Sequence, residues 1–261
     1  MTGPAPLIEV RSLGKRYPGS RGRAGHQALD DVTFDLMAGE TLGIVGESGS
    51  GKSTLARVLM RLTSADSGVA RFRGVDMLRP SAKDASELTR TVQIVFQDPN
   101  SSMNPRRTVR QAIAEATRVA GVPAAQTNSR LAALLDSVGL SREKLDSYPH
   151  QLSGGQRQRV AIARALAVSP QVIIADECVS ALDVSVQSSV LNLLLELQRE
   201  LGLTYIFISH DLAVVRHMSD RVIVMRAGRV VEQGPCADVL SRPSHDYTRE
   251  LLASVPGWSS E

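Results

Sequence analysis

Cysteine, lysine and long apolar runs are all scarce in this sequence. Its two cysteines, Cys178 and Cys236, have no CxxC spacing, which argues against a disulfide framework and a structural zinc site. No run approaches the roughly 18 consecutive apolar residues that a membrane-spanning helix needs. The first ten residues also lack the charged and then apolar layout of a secretory signal. We therefore expect a protein that stays in the cytosol.

The chain carries no strong excess of charge. A total of 30 basic and 27 acidic residues gives a net charge of +3, a surplus that gives little support to nucleic-acid binding. Only four of the basic residues are lysines, so the position of Lys52 is especially informative. Hydrophobic residues make up 43% and charged residues 22%, as in ordinary globular proteins. At about 150 residues per domain, the length indicates one large domain or one domain with an inserted lobe.

Four short apolar runs predict strands of a parallel sheet that is covered on both faces. The runs are residues 42–45, 92–96, 172–175 and 205–208. Polar residues or glycine end each run, and ligands of such sheets bind beyond the carboxyl ends of the strands. The four endings are Gly46-Glu47-Ser48, Gln97-Asp98, Asp176-Glu177 and Ser209-His210. We expect the chemistry of the protein at these endings.

Helical patterns separate these runs. Helices are predicted at residues 109–120 and 130–138, from near Ser153 to a point before Pro170, and at 186–201. The first three have no apolar strand between them, which fits a helical lobe inserted into an α/β core. After the fourth run, residues 221–225 and 228–232 predict a terminal hairpin.

A phosphate-binding motif follows the first run. Its residues are Gly46, Glu47, Ser48, Gly49, Ser50, Gly51, Lys52, Ser53 and Thr54, which satisfy the G-x-x-x-x-G-K-[ST] pattern between a predicted strand and a predicted helix. In this P-loop, backbone N–H groups and the helix N-terminus surround phosphate oxygens. Lys52 is expected to reach the β- and γ-phosphates of ATP, and Ser53 to ligate Mg²⁺.

An acidic pair, Asp176 and Glu177, ends the third run. Such a pair taken alone is more often a solvated turn. Beside a P-loop, it predicts that Asp176 holds the metal through water and that Glu177 polarises an attacking water.

A second anion-binding pattern precedes a helix. Leu152, Ser153, Gly154, Gly155 and Gln156 place a helix-capping serine before two glycines, which taken alone is usually just a capped helix start. Its combination with a P-loop resembles the ATPase subunits of ATP-binding-cassette (ABC) transporters.

This resemblance covers residues 7–256 and implies an α/β fold. The fold would be a P-loop NTPase (RecA-like) core sheet with an inserted helical subdomain and an N-terminal antiparallel β portion. The implied core is about 7–97 and 158–235, the helical subdomain about 98–157 and the C-terminal tail 236–261.

The resemblance also implies roles for single residues. Tyr17 would stack on adenine, although a tyrosine before a proline is often a packing residue. Gln97 would sense Mg²⁺ and the membrane subunit, and His210 would contact the γ-phosphate. Ser53, Gln97 and Asp176 would form the metal site, and Ser180 to Asp183 the D-loop. Two subunits would meet head to tail, so that Ser153 to Gln156 of one cover the ATP of the other.

Finer motifs resemble the oligopeptide, dipeptide and nickel importer ATPases, and in particular their F-type subunit. The motifs are Gln97-Asp98-Pro99, residues 102–106, residues 179–187 and His245-Asp246-Tyr247-Thr248. The implied partners are a second ABC ATPase subunit in a heterodimer, two membrane permease subunits and an extracytoplasmic solute-binding protein, with no direct nucleic-acid contact. The chain would then work as a peripheral protein at the cytoplasmic face of the cell membrane.

Two alternatives remain beside import. The chain could be a non-transport ABC ATPase that clamps a macromolecule, although members of that kind carry two cassettes or long coiled coils. It could also serve an exporter, which the tail motif and the missing membrane segment disfavour. Cys178 replaces the proline or small residue usual after the catalytic glutamate, and we expect it to be a buried packing thiol. Since Cys236 is alone in the tail, we predict no iron–sulfur centre.

Overall fold

The computed structural model describes residues 5–19, 25–98 and 103–255. Its strands are β1 (Ile8–Tyr17), β2 (His26–Leu36), β3 (Thr41–Val45), β4 (Ser67–Phe72), β5 (Val75–Asp76), β6 (Val92–Val95), β7 (Val172–Asp176), β8 (Thr204–Ile208), β9 (Arg221–Arg226) and β10 (Arg229–Pro235). Its α-helices are α1 (Lys52–Leu59), α2 (Ala82–Thr91), α3 (Val109–Val119), α4 (Ala124–Ser137), α5 (Gly154–Leu166), α6 (Val184–Leu201), α7 (Leu212–Met218), α8 (Cys236–Ser241) and α9 (Asp246–Ala253).

The chain divides into two compact units. The first unit contains residues 1–88 and 204–261, and the second contains residues 89–203. The predicted boundaries of the core and the helical subdomain remain predictions.

An antiparallel sheet of the order β2-β1-β4-β5 opens the first unit. Ile8 pairs with Leu36 of β2 on one side and with Phe72 of β4 on the other. This sheet is the antiparallel β portion that the family resemblance implied.

The first unit also holds β3 between β8 and β9, parallel to both, with β10 antiparallel to β9. Every residue of β3 and β8 is buried, as their continuous apolar sequences predict. Gly43 lets α7 approach β3 closely, because a Cβ at this position would lie 2.8 Å from Val215 Cγ1. The predicted hairpin is confirmed as β9 and β10.

The second unit pairs β6 in parallel with β7 and contains helices α3 to α6. Helix α4 begins six residues before its predicted start. The sequence pattern did not indicate this first part, because residues 124–129 are small or polar and carry no apolar periodicity. Asp183 caps α6 by accepting from the Val186 N–H at 3.1 Å, and α6 therefore begins at Val184. Within the described part of the chain, no helix is both long and apolar enough to cross a membrane.

Candidate functional site

The P-loop, residues 46–54, connects β3 to α1 in a conformation that depends on glycine. Gly46, Gly49 and Gly51 have φ angles of 147°, 81° and 107°, which side chains rarely adopt. A Cβ on Gly46 would lie 2.2 Å from the Met225 carbonyl oxygen, and one on Gly51 would lie 2.4 Å from that of Ala28. The backbone of the loop therefore packs directly against neighbouring strands.

Lys52 lies inside the curve of this loop and is only 5% exposed. Its ammonium donates hydrogen bonds to the carbonyl oxygens of Gly46, at 2.7 Å, and Glu47, at 2.9 Å. A lysine is rarely buried unless it is paired, and here the backbone of the loop supplies the partners.

The N-terminus of α1 fits an anionic ligand. Gly51 is its N-cap, and no side chain among the described residues caps it by a hydrogen bond. The first turn of α1 contains no acidic residue. Since a helix N-terminus carries partial positive charge, the Lys52 ammonium and the start of α1 form a site suited to phosphate groups.

Two segments of the first unit form hydrogen bonds with the P-loop, and a third supports one of them. The Gly228 N–H, in the turn between β9 and β10, donates to the Ser50 carbonyl at 2.9 Å. The Asp30 N–H donates to the Gly228 carbonyl at 2.8 Å. The Glu47 N–H donates to Tyr247 Oη at 3.1 Å. Tyr247 was predicted only as part of a subfamily motif, and its contact with the loop is new.

His210 lies at the same sheet edge as the P-loop. It follows β8, which runs parallel to β3, and the two strands pair Ile208 with Ile44. The Ser209 N–H donates to the Ile44 carbonyl at 3.3 Å, one residue before β3 ends. His210 itself is exposed.

Tyr17 is half-buried at the end of β1 and is paired with His26 of β2. The Lys15 ammonium lies 5.6 Å from the centre of its ring. Tyr17 therefore makes a cation–π contact. Residues 20–24, shortly after Tyr17, lie outside the described residues.

The second unit brings Gln97, Asp176 and Glu177 to one sheet edge, because β6 and β7 are parallel with Val95 opposite Ala175. Asp176 is the last residue of β7 and is 7% exposed. Glu177 follows it with a φ angle of 49°, a left-handed conformation that is uncommon outside glycine.

Ser180 closes the turn after Glu177. Its N–H and its hydroxyl both donate to the Glu177 carbonyl, at 3.1 and 2.9 Å. The exposed side-chain amide of Gln97 donates to Ser180 Oγ at 3.1 Å. The turn thus joins the predicted catalytic glutamate to the predicted metal-sensing glutamine through one serine.

Cys178 is a buried thiol in this turn, as predicted, and is 1% exposed. Burial raises its pKa from 9.0 to about 12, and the nearby Asp176 carboxylate contributes in the same direction. The thiol is therefore neutral at physiological pH.

Ser153 caps α5 through a capping box. Its hydroxyl accepts from the Gln156 N–H at 3.3 Å, and the Gln156 side chain accepts from the Ser153 N–H at 3.0 Å. The two glycines between them differ in their surroundings. A Cβ on Gly155 would lie 2.3 Å from Val186 Cγ1 of α6, whereas one on Gly154 would meet only Leu182, at 3.4 Å. Gly155 thus serves helix packing.

The described residues contain no group of three or more His, Cys, Asp or Glu side chains that could hold a metal ion. The predicted Mg²⁺ ligands Ser53, Gln97 and Asp176 form no such cluster, since only one is a carboxylate. Mg²⁺ is commonly bound through one or two carboxylates together with phosphate oxygens and water, so the chemistry of one carboxylate with hydroxyl and amide oxygens suits it.

A family model described as ABC transporter matches residues 29–180, which is more than half of the chain. The chain belongs to the ABC transporter family. The matched stretch of this ABC chain contains the P-loop, Ser153 and Glu177. Membership confirms the predicted P-loop NTPase fold and makes the chain an ATPase of the ABC type.

Curated relatives share half of their residues with this ABC chain in the aligned stretch. It is 50% identical over 259 residues to the glutathione import ATP-binding protein GsiA of Escherichia coli strain K12, and over 258 residues to the protein of that name from Salmonella typhimurium strain LT2. Each alignment covers 96% of this chain and 41% of the relative. The ABC chain thus spans about two fifths of the length of the curated relatives it matches.

Solved structures also match the ABC chain. One is cbiO1 from Clostridium perfringens, described as part of the ABC transporter complex cbiONQ, with a TM-score of 0.78, 31% identity and coverage of 96% of both chains. Another is the ATP-binding cassette MJ0796, in a dimeric post-hydrolysis state bound to ADP and Pi. It has a TM-score of 0.76 and 29% identity, with coverage of 88% of this chain and 99% of its own.

Proposed function

We propose that this chain is the Mg²⁺-dependent ATP-hydrolysing subunit of a peptide importer with a separate membrane permease. The observation that carries the proposal is the P-loop, whose glycine backbone curves around a buried Lys52 ammonium at the start of α1. Import is supported by the 50% identity to relatives named for glutathione import. Because glutathione is itself a small peptide, these names agree with the peptide-importer motifs.

The P-loop residues would bind the triphosphate of ATP, and Tyr17 would stack on the adenine. Ser53, Gln97 and Asp176 would hold Mg²⁺, which supplies positive charge that offsets the charge developing on the phosphates. His210 would donate a hydrogen bond to the γ-phosphate. Lys52 can reach the phosphates while it keeps the Gly46 carbonyl as a partner, since an ammonium has three donors and can exchange its hydrogen bonds to the Glu47 carbonyl and Ser50 Oγ.

Glu177 would polarise the attacking water. Its left-handed backbone, closed by the two hydrogen bonds from Ser180, limits the directions in which the carboxylate can point. A base must lie within hydrogen-bond distance of the proton it attracts, so this turn serves to position Glu177.

We further propose that two ABC subunits meet head to tail, with Ser153, Gly154, Gly155 and Gln156 of one subunit covering the ATP of the other. Support comes from the exposed, capped start of α5 and from the dimeric state named for MJ0796. ATP would favour the closed pair and hydrolysis would reopen it, because each nucleotide state interacts differently with the two arrangements.

The proposed partners are a second ABC ATPase in a heterodimer, two permease subunits and a solute-binding protein. The chain would act at the cytoplasmic face of the membrane. Two cavities of about 540 and 600 Å³ in the second unit offer the permease a surface, and Asn104 and Arg107 line both. Residues 99–102 of the adjoining motif lie outside the described residues.

The test is to purify the chain with its permease and measure ATPase stimulation by solute-loaded binding protein. Glutathione, a dipeptide, a longer peptide and nickel form the separate arms. Stimulation by a peptide arm supports the proposal, and stimulation by nickel alone contradicts its solute class. Stimulation by a nucleic acid or ribosome in place of the permease would favour the clamp alternative.

Variants of Ser153 test the head-to-tail arrangement. Asn and Asp both cap helices about as well as Ser, but only Asp brings a negative charge toward the partner's phosphates. Ser153→Asn should therefore keep most of the ATPase rate, whereas Ser153→Asp should lower it at least tenfold, with nucleotide binding by the isolated chain unchanged. Equal rates for the two variants would contradict the arrangement.

A further inference from the structure

The C-terminal helix α9 contacts the P-loop through one side chain. Tyr247 is 1% exposed, and its hydroxyl oxygen accepts the Glu47 N–H at 3.1 Å, from a position 200 residues away in the chain. A buried tyrosine hydroxyl usually has a hydrogen-bond partner. Here that partner is the backbone of the nucleotide site.

Contacts of its ring and of the preceding backbone hold Tyr247 in place. The Arg226 guanidinium lies 4.5 Å from the centre of its ring. The segment before it is tied to β10, because the Glu232 carboxylate accepts from the N–H and hydroxyl of Ser244 and from the His245 N–H, at 2.7 to 3.2 Å. His245 Nδ1 then accepts the Tyr247 N–H at 3.0 Å. The hydroxyl therefore has a defined position before any ligand arrives.

This position matters because the Glu47 N–H and the Gly46 carbonyl belong to one peptide group. The group is planar and trans, so its N–H and C=O point in opposite directions. Tyr247 accepts the N–H on the outer side, while the carbonyl receives the Lys52 ammonium at 2.7 Å on the inner side. Rotation of this peptide group would break both hydrogen bonds together.

We propose that Tyr247 is a positioning residue for nucleotide binding. It fixes the Gly46–Glu47 peptide so that the carbonyl holds Lys52 inside the P-loop. The C-terminal helix is thereby part of the nucleotide site, although it contributes no ligand to the phosphates. This inference rests on the proposed function of the P-loop and adds a residue to it.

Tyr247→Phe is the decisive variant, because it keeps the ring and its contact with Arg226 but removes the acceptor. A hydrogen bond contributes about 0.5–1.5 kcal/mol, which corresponds to a change of about two- to tenfold in an equilibrium constant. We expect the Kd for a fluorescent ATP analogue, and for inorganic triphosphate, to rise within that range. In the assembled transporter, KM for ATP should rise while kcat at saturation stays within about twofold.

Thr248→Val is the matched control. It removes a buried hydroxyl from the neighbouring residue of α9 and should leave the Kd within about twofold of wild type. Hydrogen exchange provides a second readout, because the Glu47 amide and the backbone amides of α9 can be followed separately, and a general loosening of α9 would accelerate both. Exchange should accelerate in Tyr247→Phe at the Glu47 amide and remain slow in α9, β3 and β8.

An unchanged Kd together with a protected Glu47 amide in Tyr247→Phe would overturn the inference. An equal loss of affinity in Thr248→Val would overturn it as well, because the effect would then be structural. If the wild-type chain fails to bind ATP, the proposed function fails instead, and exchange at Glu47 still decides whether Tyr247 holds the loop.

Discussion

At the scale of single residues, the P-loop glycines look alike in sequence but differ in their surroundings. Gly49 and Gly51 both have positive φ angles. No described atom lies within 4 Å of a Cβ built on Gly49, whereas one built on Gly51 lies 2.4 Å from the Ala28 carbonyl oxygen. The first position constrains only the local backbone, and the second also constrains the packing of the loop on β2.

The pair Gly49→Ala and Gly51→Ala separates these two effects. Gly49→Ala should lower the free energy of unfolding by about 1 kcal/mol, the cost of a left-handed non-glycine residue. Gly51→Ala should lower it by a further 1–3 kcal/mol, because the backbone must move to relieve the overlap. Urea denaturation measures both values. Equal losses would show that the contact with Ala28 relaxes without cost.

Cys178 predicts a pH dependence of stability. The thiol has a pKa of about 12 in the folded chain, against 9.0 for an ordinary thiol. Between these values the unfolded chain binds fewer protons than the folded one, so stability falls as the pH rises from 9 to 12. Cys178→Ala should cost about 1 kcal/mol at pH 7 from lost apolar burial.

The difference in free energy of unfolding between the wild type and Cys178→Ala should then shrink steadily above pH 9, because the variant lacks the thiol whose titration destabilises the wild type. Denaturation curves at pH 7, 9 and 10.5 test it. Burial also raises the pKa of Cys236, to about 11. This residue is present in both proteins, so its contribution to the difference cancels. A difference in free energy of unfolding that stays constant with pH would contradict the raised pKa of Cys178.

At the scale of elements, helix α5 combines an exposed start with a tightly packed first turn. Ser153 provides the cap, and Gly155 provides the space for Val186 of α6. The two helices can approach closely only while position 155 lacks a side chain. The second glycine of the motif is therefore required by the fold of the second unit, whether or not it contacts a nucleotide.

A double-mutant cycle tests this packing. Gly155→Ala should lower the free energy of unfolding by about 1–3 kcal/mol, since its methyl group would overlap Val186 Cγ1. Val186→Ala makes room for that methyl group. The double variant should therefore be only slightly less stable than Val186→Ala alone. Strictly additive losses would place the strain elsewhere.

At the scale of the whole molecule, the proposed head-to-tail pair predicts a nucleotide-dependent association. Glu177→Gln keeps the size of the side chain and removes the base, so ATP should bind but turn over at least a hundredfold more slowly. With Mg²⁺ and ATP, this variant and its partner subunit should elute together as a stable complex, and with ADP they should separate.

Lys52→Ala in the Glu177→Gln background is the control. Loss of the ammonium should weaken phosphate binding, so association should disappear at the same ATP concentration. Turnover near the wild-type rate in Glu177→Gln would remove this residue from its proposed role.

Comparison of sequence and structure shows which elements were predictable. The four apolar runs and the hairpin formed where expected, because their burial is encoded by consecutive apolar residues. Helix α2 and the short helices α8 and α9 carried too little periodicity to be predicted. Helix α9 is held instead by Tyr247 and by the hydrogen bonds of Glu232 to residues 244 and 245.

The sequence by itself determined the kind of site. A strand, a glycine-rich turn and a lysine at a helix start are adjacent in the chain, so their chemistry follows from local order. Tertiary structure alone decided what holds this site in shape. The carbonyl of Ala28, the turn at Gly228 and the hydroxyl of Tyr247 reach the P-loop from distant segments, because strand register and helix packing, rather than neighbouring residues, bring these groups within contact distance.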